Sequence, residues 1–190
     1  EMAGVSTTCI TKMTRDGAVI SVDILVKICV ALNCTFDDIM EISNHFIVGD
    51  YVIDTIHSPL NSAYLRKLHT LLFYGTKADR EGNMRTGEFR RQPSKFGIPA
   101  DNIPSAVLAL MKSYEDKPVV ELEDVLALHV AFEKIHPFED GNGRIARAIT
   151  ELMLAKAEKS SYRFYSMSAQ IQKQKNEYYK ILENIQKGTL

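Results

Sequence analysis

The 190-residue sequence predicts an all-α protein. Three observations predict it. Apolar residues recur three and four apart in segment after segment, as in Leu65, Leu68 and Leu72, or Ile145, Ala148, Ile149, Leu152 and Met153, which is the spacing of one helix face. Capping and breaking residues separate these segments, among them Ser21, Asn33, Thr35, Pro59 and Gly75. A single stretch, residues 77–99, has no helical period and collects Gly82, Gly87, Pro93, Gly97 and Pro99.

Composition narrows the class. Apolar content is 45% and charged content 25%, as in an ordinary soluble globular chain. The formal net charge of −1 supplies no global field for nucleic acid or a membrane surface. No apolar run approaches the ~20 residues that a membrane span needs. No signal peptide is visible at the start. Cys9, Cys29 and Cys34 are odd in number and lack Cys-x-x-Cys spacing, which fits a reducing, cytoplasmic setting without disulfides or zinc. The chain opens on Glu1 and stops at Gly188-Thr189-Leu190, so a fragment of a longer protein is expected.

Residues 1–43 read as a small helical module. Ser6 can cap a short helix through about Arg15, and Asp16-Gly17 breaks it. Ser21 can cap a second helix with Leu25, Ile28, Cys29 and Leu32 on one face, closed by Asn33 in a left-handed conformation. Thr35 opens a third, with Asp38 placed for a capping box.

Residues 44–190 read as the larger unit. Asn44–Ile56 and Ala63–Tyr74 are helices, the second closed by Gly75. Residues 77–99 follow as an irregular stretch. Ile103–Tyr114 is helical, with Pro104 in its first turn, where proline is tolerated. Leu122, Val125, Leu126, His129 and Glu133 share the face of a further helix that delivers the chain to Ile135-His136. Another helix runs from the Gly-rich turn toward Ser160, and the last spans Ser168–Lys187. Tyr178 and Tyr179 on it are candidates to line an adenine pocket or simply to pack. His69 and His129 read as packed or hydrogen-bonded histidines rather than ligands.

The chemistry concentrates in residues 136–147, His-Pro-Phe-Glu-Asp-Gly-Asn-Gly-Arg-Ile-Ala-Arg. His136 can serve as a base near neutral pH. Asp140 is a hard oxygen ligand suited to Mg²⁺. Gly141, Asn142 and Gly143 let backbone approach an anion and run into a helix N-terminus, where unpaired N–H groups favour phosphate. Arg144 and Arg147 stand three apart on that helix and offer forked donors to more phosphate oxygens. A base, a metal carboxylate and a polyphosphate cradle together point to transfer of part of a nucleotide.

The run closely resembles the Fic motif, His-Pro-Phe-x-(Asp/Glu)-Gly-Asn-(Gly/Lys)-Arg with a second Arg three residues on, and the resemblance covers roughly residues 44–190. It implies a Fic-type helical bundle that transfers AMP from ATP to a Ser, Thr or Tyr hydroxyl of a target protein. It implies His136 as the base, Asp140 placing Mg²⁺, Gly141, Asn142 and Gly143 on the α- and β-phosphates, and Arg144 and Arg147 on the outer ones. Gly87-Glu88-Phe89-Arg90 resembles the start of the family's flap, a β-hairpin within about 77–99 that binds the target. Doc-like phosphate transfer ranks low, because Gly141 and Gly143 stand where Doc-like motifs tend to carry Ala and Lys. AMP removal at the same site, and a transcriptional regulator with a nucleotide-sensing Fic-like half, are the other readings. Self-modification and a homo-oligomer are compatible with all of them.

The phrases of residues 1–43 resemble a Cro/C1-type helix-turn-helix lacking its first helix. That resemblance implies a recognition helix at about Ser6–Arg15, with Thr7, Thr8, Lys12 and Arg15 as DNA contacts. The charge argues against strong binding: Lys12, Arg15 and Lys27 face Glu1, Asp16, Asp23, Asp37, Asp38 and Glu41, a local net of −3. Many Fic proteins also carry an inhibitory helix with the pattern (Ser/Thr)-x-x-x-Glu-(Gly/Asn), whose Glu pairs with the second motif arginine. Nothing here matches it, Glu183-Asn184 coming nearest with Tyr179 at the Ser/Thr position. The abrupt join at Ser43–Asn44 predicts residues missing there.

Overall fold

A computed structural model describes residues 6, 11, 20–82, 84–115, 121–157 and 167–187. Among these residues every regular element is a helix, with no strand. The helices are α1 (Val22–Leu32), α2 (Phe36–Asp54), α3 (Ser62–Phe73), α4 (Lys77–Arg80), α5 (Ile103–Glu115), α6 (Leu122–Ile135), α7 (Asn142–Lys156), α8 (Met167–Lys173) and α9 (Lys175–Lys187).

Of the expected caps, Asn33 and Thr35 form, whereas Ser21 precedes α1 without a side-chain capping bond. Asn33 closes α1 at φ 50°, and its N–H reaches back to carbonyls of the last turn. The Thr35 hydroxyl accepts the Asp38 N–H and the Asp38 carboxylate accepts the Thr35 N–H across the first turn of α2, a capping box. Asn61 caps α3 by accepting from the Tyr64 N–H at 2.9 Å.

Two boundaries differ from the expectation. The third short helix and the Asn44–Ile56 helix are one element, so α2 runs through Ser43–Asn44 unbroken. Nothing at that join stops a helix: there is no proline and no glycine before Gly49. The last helix, by contrast, breaks at Gln174 into α8 and α9.

The core lies where α7 meets α6, α2 and α3, with α5 and α9 against α6. Leu65, Leu68 and Leu72 of α3, Leu128 and Phe132 of α6, and Ile145, Ile149 and Leu152 of α7 are fully buried. Each such side chain contributes about 1.5–3 kcal/mol on removal from water. Asn44 is buried with them and donates from Nδ2 to the carbonyls of Leu72 and Tyr74, at 3.1 and 2.8 Å. It thereby ties α2 to the C-terminus of α3, where helix carbonyls lack partners of their own. No helix among the described residues is long and apolar enough to cross a membrane.

The β-hairpin expected in residues 77–99 does not form among the described residues. Residues 77–80 are helical, and the other described residues of the stretch form turns, bends and irregular chain. The reason lies in where its backbone groups bond. The Arg90 N–H donates to Pro137 O, and the Ile98 N–H donates to Ile135 O. Gln92 O and Ile98 O accept instead from the Arg90 guanidinium. The two arms are thus bridged by a side chain and by the motif loop, with no ladder between them.

Candidate active site

The motif sits between α6 and α7. His136 ends α6 in a left-handed conformation, φ 51°, with its N–H bonded to Phe132 O at 3.0 Å. A non-glycine residue adopts that conformation at a cost, and here its surroundings hold it. The Arg90 Nε–H donates to His136 O at 2.8 Å. Pro137 and Phe138 behind it are buried, and Phe138 lies between the rings of His69 and Phe89, centroids 4.1 and 5.5 Å away.

The loop that follows is closed by Asn142. Its Oδ1 accepts the Phe138 N–H and its Nδ2 donates to Phe138 O, both at 2.8 Å, and the side chain is buried. Asn142 therefore fixes the loop's shape with the groups that the sequence reading aimed at phosphate. Gly141 precedes α7 at φ 77°, packed so closely that a Cβ there would come within 2.8 Å of the Phe73 ring. Only glycine satisfies both constraints. The Gly141 N–H donates to Asp140 Oδ1, and the first bond of α7 runs from the Ile145 N–H to Gly141 O.

Around the N-terminus of α7 several polar groups converge. Arg144 Nη1 donates to Glu41 at 2.8 Å and Nη2 to Asp140 at 3.2 Å, with the guanidinium above the Phe73 ring. Asp140 is exposed on the rim. Arg147 lies one turn further along, and a Cβ at Gly143 would be 3.4 Å from both Arg147 Nη1 and Glu133 Oε1. Three buried atoms here have no hydrogen-bond partner: His136 Nδ1, Glu133 Oε1 and Arg147 Nε. Nδ1 of His136 stands 3.9 Å from the other Glu133 oxygen.

Burial sets the ionisation of these groups. It pushes the Glu133 carboxyl up to about 7, against the pull of the Arg147 charge. It holds His136 below the ordinary imidazole value, helped by the positive Arg90. A neutral His136 at physiological pH is the form a general base requires.

The candidate target-binding residues are placed differently from the expectation. Glu88 is on the surface, paired with Arg91 and Arg85. Phe89 and Arg90 are buried, at 7% and 4% exposure, so neither side chain is presented to a partner. Phe89 lies under the Arg66 guanidinium and against Phe138, and Arg90 clamps three carbonyls. Both support the motif from behind. Gly87, at φ 73°, donates its N–H to His69 Nδ1 at 2.8 Å. That bond makes Nδ1 the acceptor, so Nε2 carries the proton and donates to Asp140 O at 3.3 Å. His69 is fully buried and pushed down to about 4, hence neutral. It links residue 87 to the motif loop, a role no sequence spacing reveals. Thr7, Thr8, Lys12 and Arg15 lie outside the described residues.

Tyr178 closes the far side. Thr150 donates to Ala146 O, so His129 Nδ1 donates to the Thr150 hydroxyl at 3.0 Å and Nε2 accepts from the Tyr178 hydroxyl at 2.9 Å. The phenol is pushed up to about 12 and stays protonated. Tyr179 meets it edge-on and is exposed. The Tyr178–His129 bond joins α9 to α6.

Comparison with known proteins places this site in a family. Residues 59–154 match the Fic/DOC family model, which covers half of the chain. Residues 1–44 match the model of the Cro/C1-type helix-turn-helix DNA-binding domain. The chain belongs to the Fic/DOC family. Members generally transfer a nucleotidyl group, the reaction termed AMPylation. Among solved structures it is similar to a Fic family protein from Desulfovibrio desulfuricans G20, with 23% identity, a TM-score of 0.67, and coverage of 85% of this chain and 51% of that one. It is similar also to a Fic domain containing signaling protein from Bacteroides thetaiotaomicron VPI-5482, with 22% identity, a TM-score of 0.65, and coverage of 89% and 66%. The chain thus spans about half of the first and two thirds of the second.

Proposed function

We propose that the chain is a protein adenylyltransferase that moves AMP from ATP to a Ser, Thr or Tyr hydroxyl of a target protein. One observation carries the reading beyond family membership. Arg147 Nε is buried and unpartnered, and the Arg147 side chain lies against Gly143 in the glycine-lined N-terminal turn of α7. Unmet buried polar groups cost stability unless something binds there. A helix N-terminus flanked by arginines suits a polyphosphate.

The donor set fits both ATP and Mg²⁺. Arg144 and Arg147 reach the N-terminal turn of α7, and its free N–H groups supply further donors. Asp140 offers an exposed carboxylate, and Mg²⁺ takes one or two protein carboxylates plus phosphate oxygens. Bound there, the ion would neutralise phosphate charge.

The residues then divide the work. His136 has its Nδ1 in the protein, which leaves Nε2 for the substrate. It takes the hydroxyl proton as that oxygen bonds to the α-phosphorus, and the bond to the departing pyrophosphate breaks. A positioned base contributes typically ~10²–10⁴-fold. Arg144 and Arg147 hold charge on the β- and γ-phosphates, commonly the larger contribution. Asn142 keeps the loop closed. The helix-turn-helix match at residues 1–44 supports a DNA-facing module beside this site, against its local net charge of −3.

The test is incubation with α-³²P-ATP and Mg²⁺, wild type beside His136→Ala, alone and in a bacterial lysate. Label on the protein or a lysate band that disappears in the variant is the expected result. Label from γ-³²P-ATP instead, dependent on His136, would replace the reading with phosphate transfer.

A further inference from the structure

Glu133 has no part in the mechanism above, yet its placement is specific. It lies one turn before His136 on α6, is 6% exposed, and leaves Oε1 without a partner. Its Oε2 faces His136 Nδ1 at 3.9 Å, and that nitrogen is itself buried and unpartnered. An apolar side chain of similar volume would avoid the cost of a buried, unsatisfied carboxyl. Stability therefore does not account for the residue.

We propose that Glu133 is a positioning residue that orients the His136 imidazole and selects its Nδ1–H tautomer. The inference rests on the reading of His136 as a base. A neutral histidine that accepts a proton at Nε2 must carry its own proton on Nδ1. That proton needs an acceptor inside the protein, and Glu133 Oε2 is the carboxylate it faces. Closing the gap to hydrogen-bonding distance takes about 1 Å, and such bonds commonly tighten only in the loaded site. When Nε2 takes the substrate proton, the imidazolium then sits beside a carboxylate. No proton moves to Glu133. The carboxylate holds the ring and offsets its charge, the part played by the third member of a nucleophile–base–orienter arrangement.

The surroundings are suited to this. Burial pushes Glu133 up to about 7, and Arg147 on α7 opposes that shift and favours the ionised form. On α9, the Tyr178 phenol also feels the Glu133 charge but donates its proton to His129 and not to the carboxylate. On α6 itself, His129 is neutral and fully used by Thr150 and Tyr178. Arg90 lowers His136, while the Glu133 backbone carbonyl and Asp140 raise it. No side chain hydrogen-bonds His136 Nδ1 among the described residues, and Glu133 Oε2 is the carboxylate facing it, at 3.9 Å.

Two measurements test it, one of them without substrate. Ring ¹⁵N spectra of the ligand-free protein at pH 8 should show His136 as the Nδ1–H tautomer. Because Glu133 is itself pushed up to about 7, the two groups titrate as a pair, and Glu133→Gln, close in shape, should lower the apparent His136 pKa. In transfer assays the same variant should lose kcat by roughly 10²-fold, within the range a positioned base supplies, with KM for ATP within about twofold. An Nε2–H tautomer in the wild type, or a His136 pKa unchanged in Glu133→Gln, overturns the inference. Should wild type transfer no nucleotide while the tautomer and pKa shift are as expected, the adenylyltransferase reading falls and the Glu133–His136 pairing stands.

Discussion

Arg144 and Glu41 meet at 2.8 Å across 103 residues of sequence. The first is the leading arginine of the motif, and the second lies on α2 within the stretch that matches the helix-turn-helix model. The same guanidinium touches Asp140 and covers the Phe73 ring. α2 is continuous from Phe36 to Asp54, with Asn44 and Val48 fixed in the core. Any movement of the N-terminal half of α2 is therefore felt at Arg144.

On the proposed reading, a phosphate group competes with Glu41 for Arg144. The pair is partly exposed, at 23% and 41%, so it is worth up to about 1 kcal/mol. Glu41→Gln should tighten ATP binding by at most about fivefold, the equivalent of that energy, and the gain should shrink as salt rises. Calorimetric titration of ATP into both proteins at two salt concentrations checks it. Equal affinities at low salt would mean that Arg144 does not hold the nucleotide.

Arg90 offers a test of support against display. Its side chain donates to His136 O, Gln92 O and Ile98 O from a buried position. Arg90→Met should cost roughly 3 kcal/mol through three stranded carbonyls. For a chain of this size that is a fall in Tm of about 6–12 °C. Removal of the positive charge should also raise the His136 pKa, since Arg90 now depresses it. Scanning calorimetry and ring ¹⁵N titration read the two effects. An unchanged Tm would return Arg90 to the surface role that its position in the sequence suggested.

Much of this was legible in the sequence, for local reasons. Caps act through the nearest turn, so Asn33 and Thr35 read correctly from their neighbours. The motif reads because its glycines and its loop-closing Asn142 act within five residues of one another. Glu133 stands one turn from His136, and that i, i+3 spacing was the signal available for it. What stayed hidden depends on partners distant in sequence. His69 bonds residues 87 and 140, Arg90 reaches 136, and Arg144 reaches 41. Residues 77–99 show the limit most clearly. Their composition announces an irregular stretch, but whether it pairs with itself or with the motif loop is decided by Arg90 and Pro137.

The buried titrating groups predict an unusual pH dependence of stability. His69 and His129 are each pushed down from 6.5 to about 4. Their contribution is full above 6.5 and is lost as pH falls toward 4, because the unfolded chain binds those protons first. Glu133, pushed up from 4.5 to about 7, has the opposite sign: its contribution is full below 4.5 and is lost as pH rises through 7. Between pH 6.5 and 4.5 the three together amount to one net proton, a loss of roughly 3 kcal/mol on acidification. Glu133→Gln removes the opposing group, so the loss should grow to roughly 5 kcal/mol. Urea unfolding at both pH values, wild type against variant, reads the difference. A variant with the wild-type slope would show that Glu133 is ionised across this range.

Gly97 is the sharpest check on the geometry about His136. Its φ is +88°, and a Cβ there would lie 2.5 Å from His136 Cβ and 2.7 Å from Ile135 O. Neither neighbour can give way easily, since His136 is held by Phe132 O on one side and by Arg90 on the other. Gly82 is the natural control. It too has positive φ, at +64°, but nothing stands within 4 Å of a Cβ there. Gly82→Ala should cost about 1 kcal/mol, the conformational penalty alone, and leave His136-dependent label transfer unchanged. Gly97→Ala should cost about 2 kcal/mol or more, because the contact adds to that penalty. It should also abolish transfer, since the ring bearing Nε2 is displaced by the strain. Denaturant midpoints and the α-³²P-ATP assay on both variants separate the cases. If Gly97→Ala matches Gly82→Ala in midpoint and activity, residue 97 does not lie against His136.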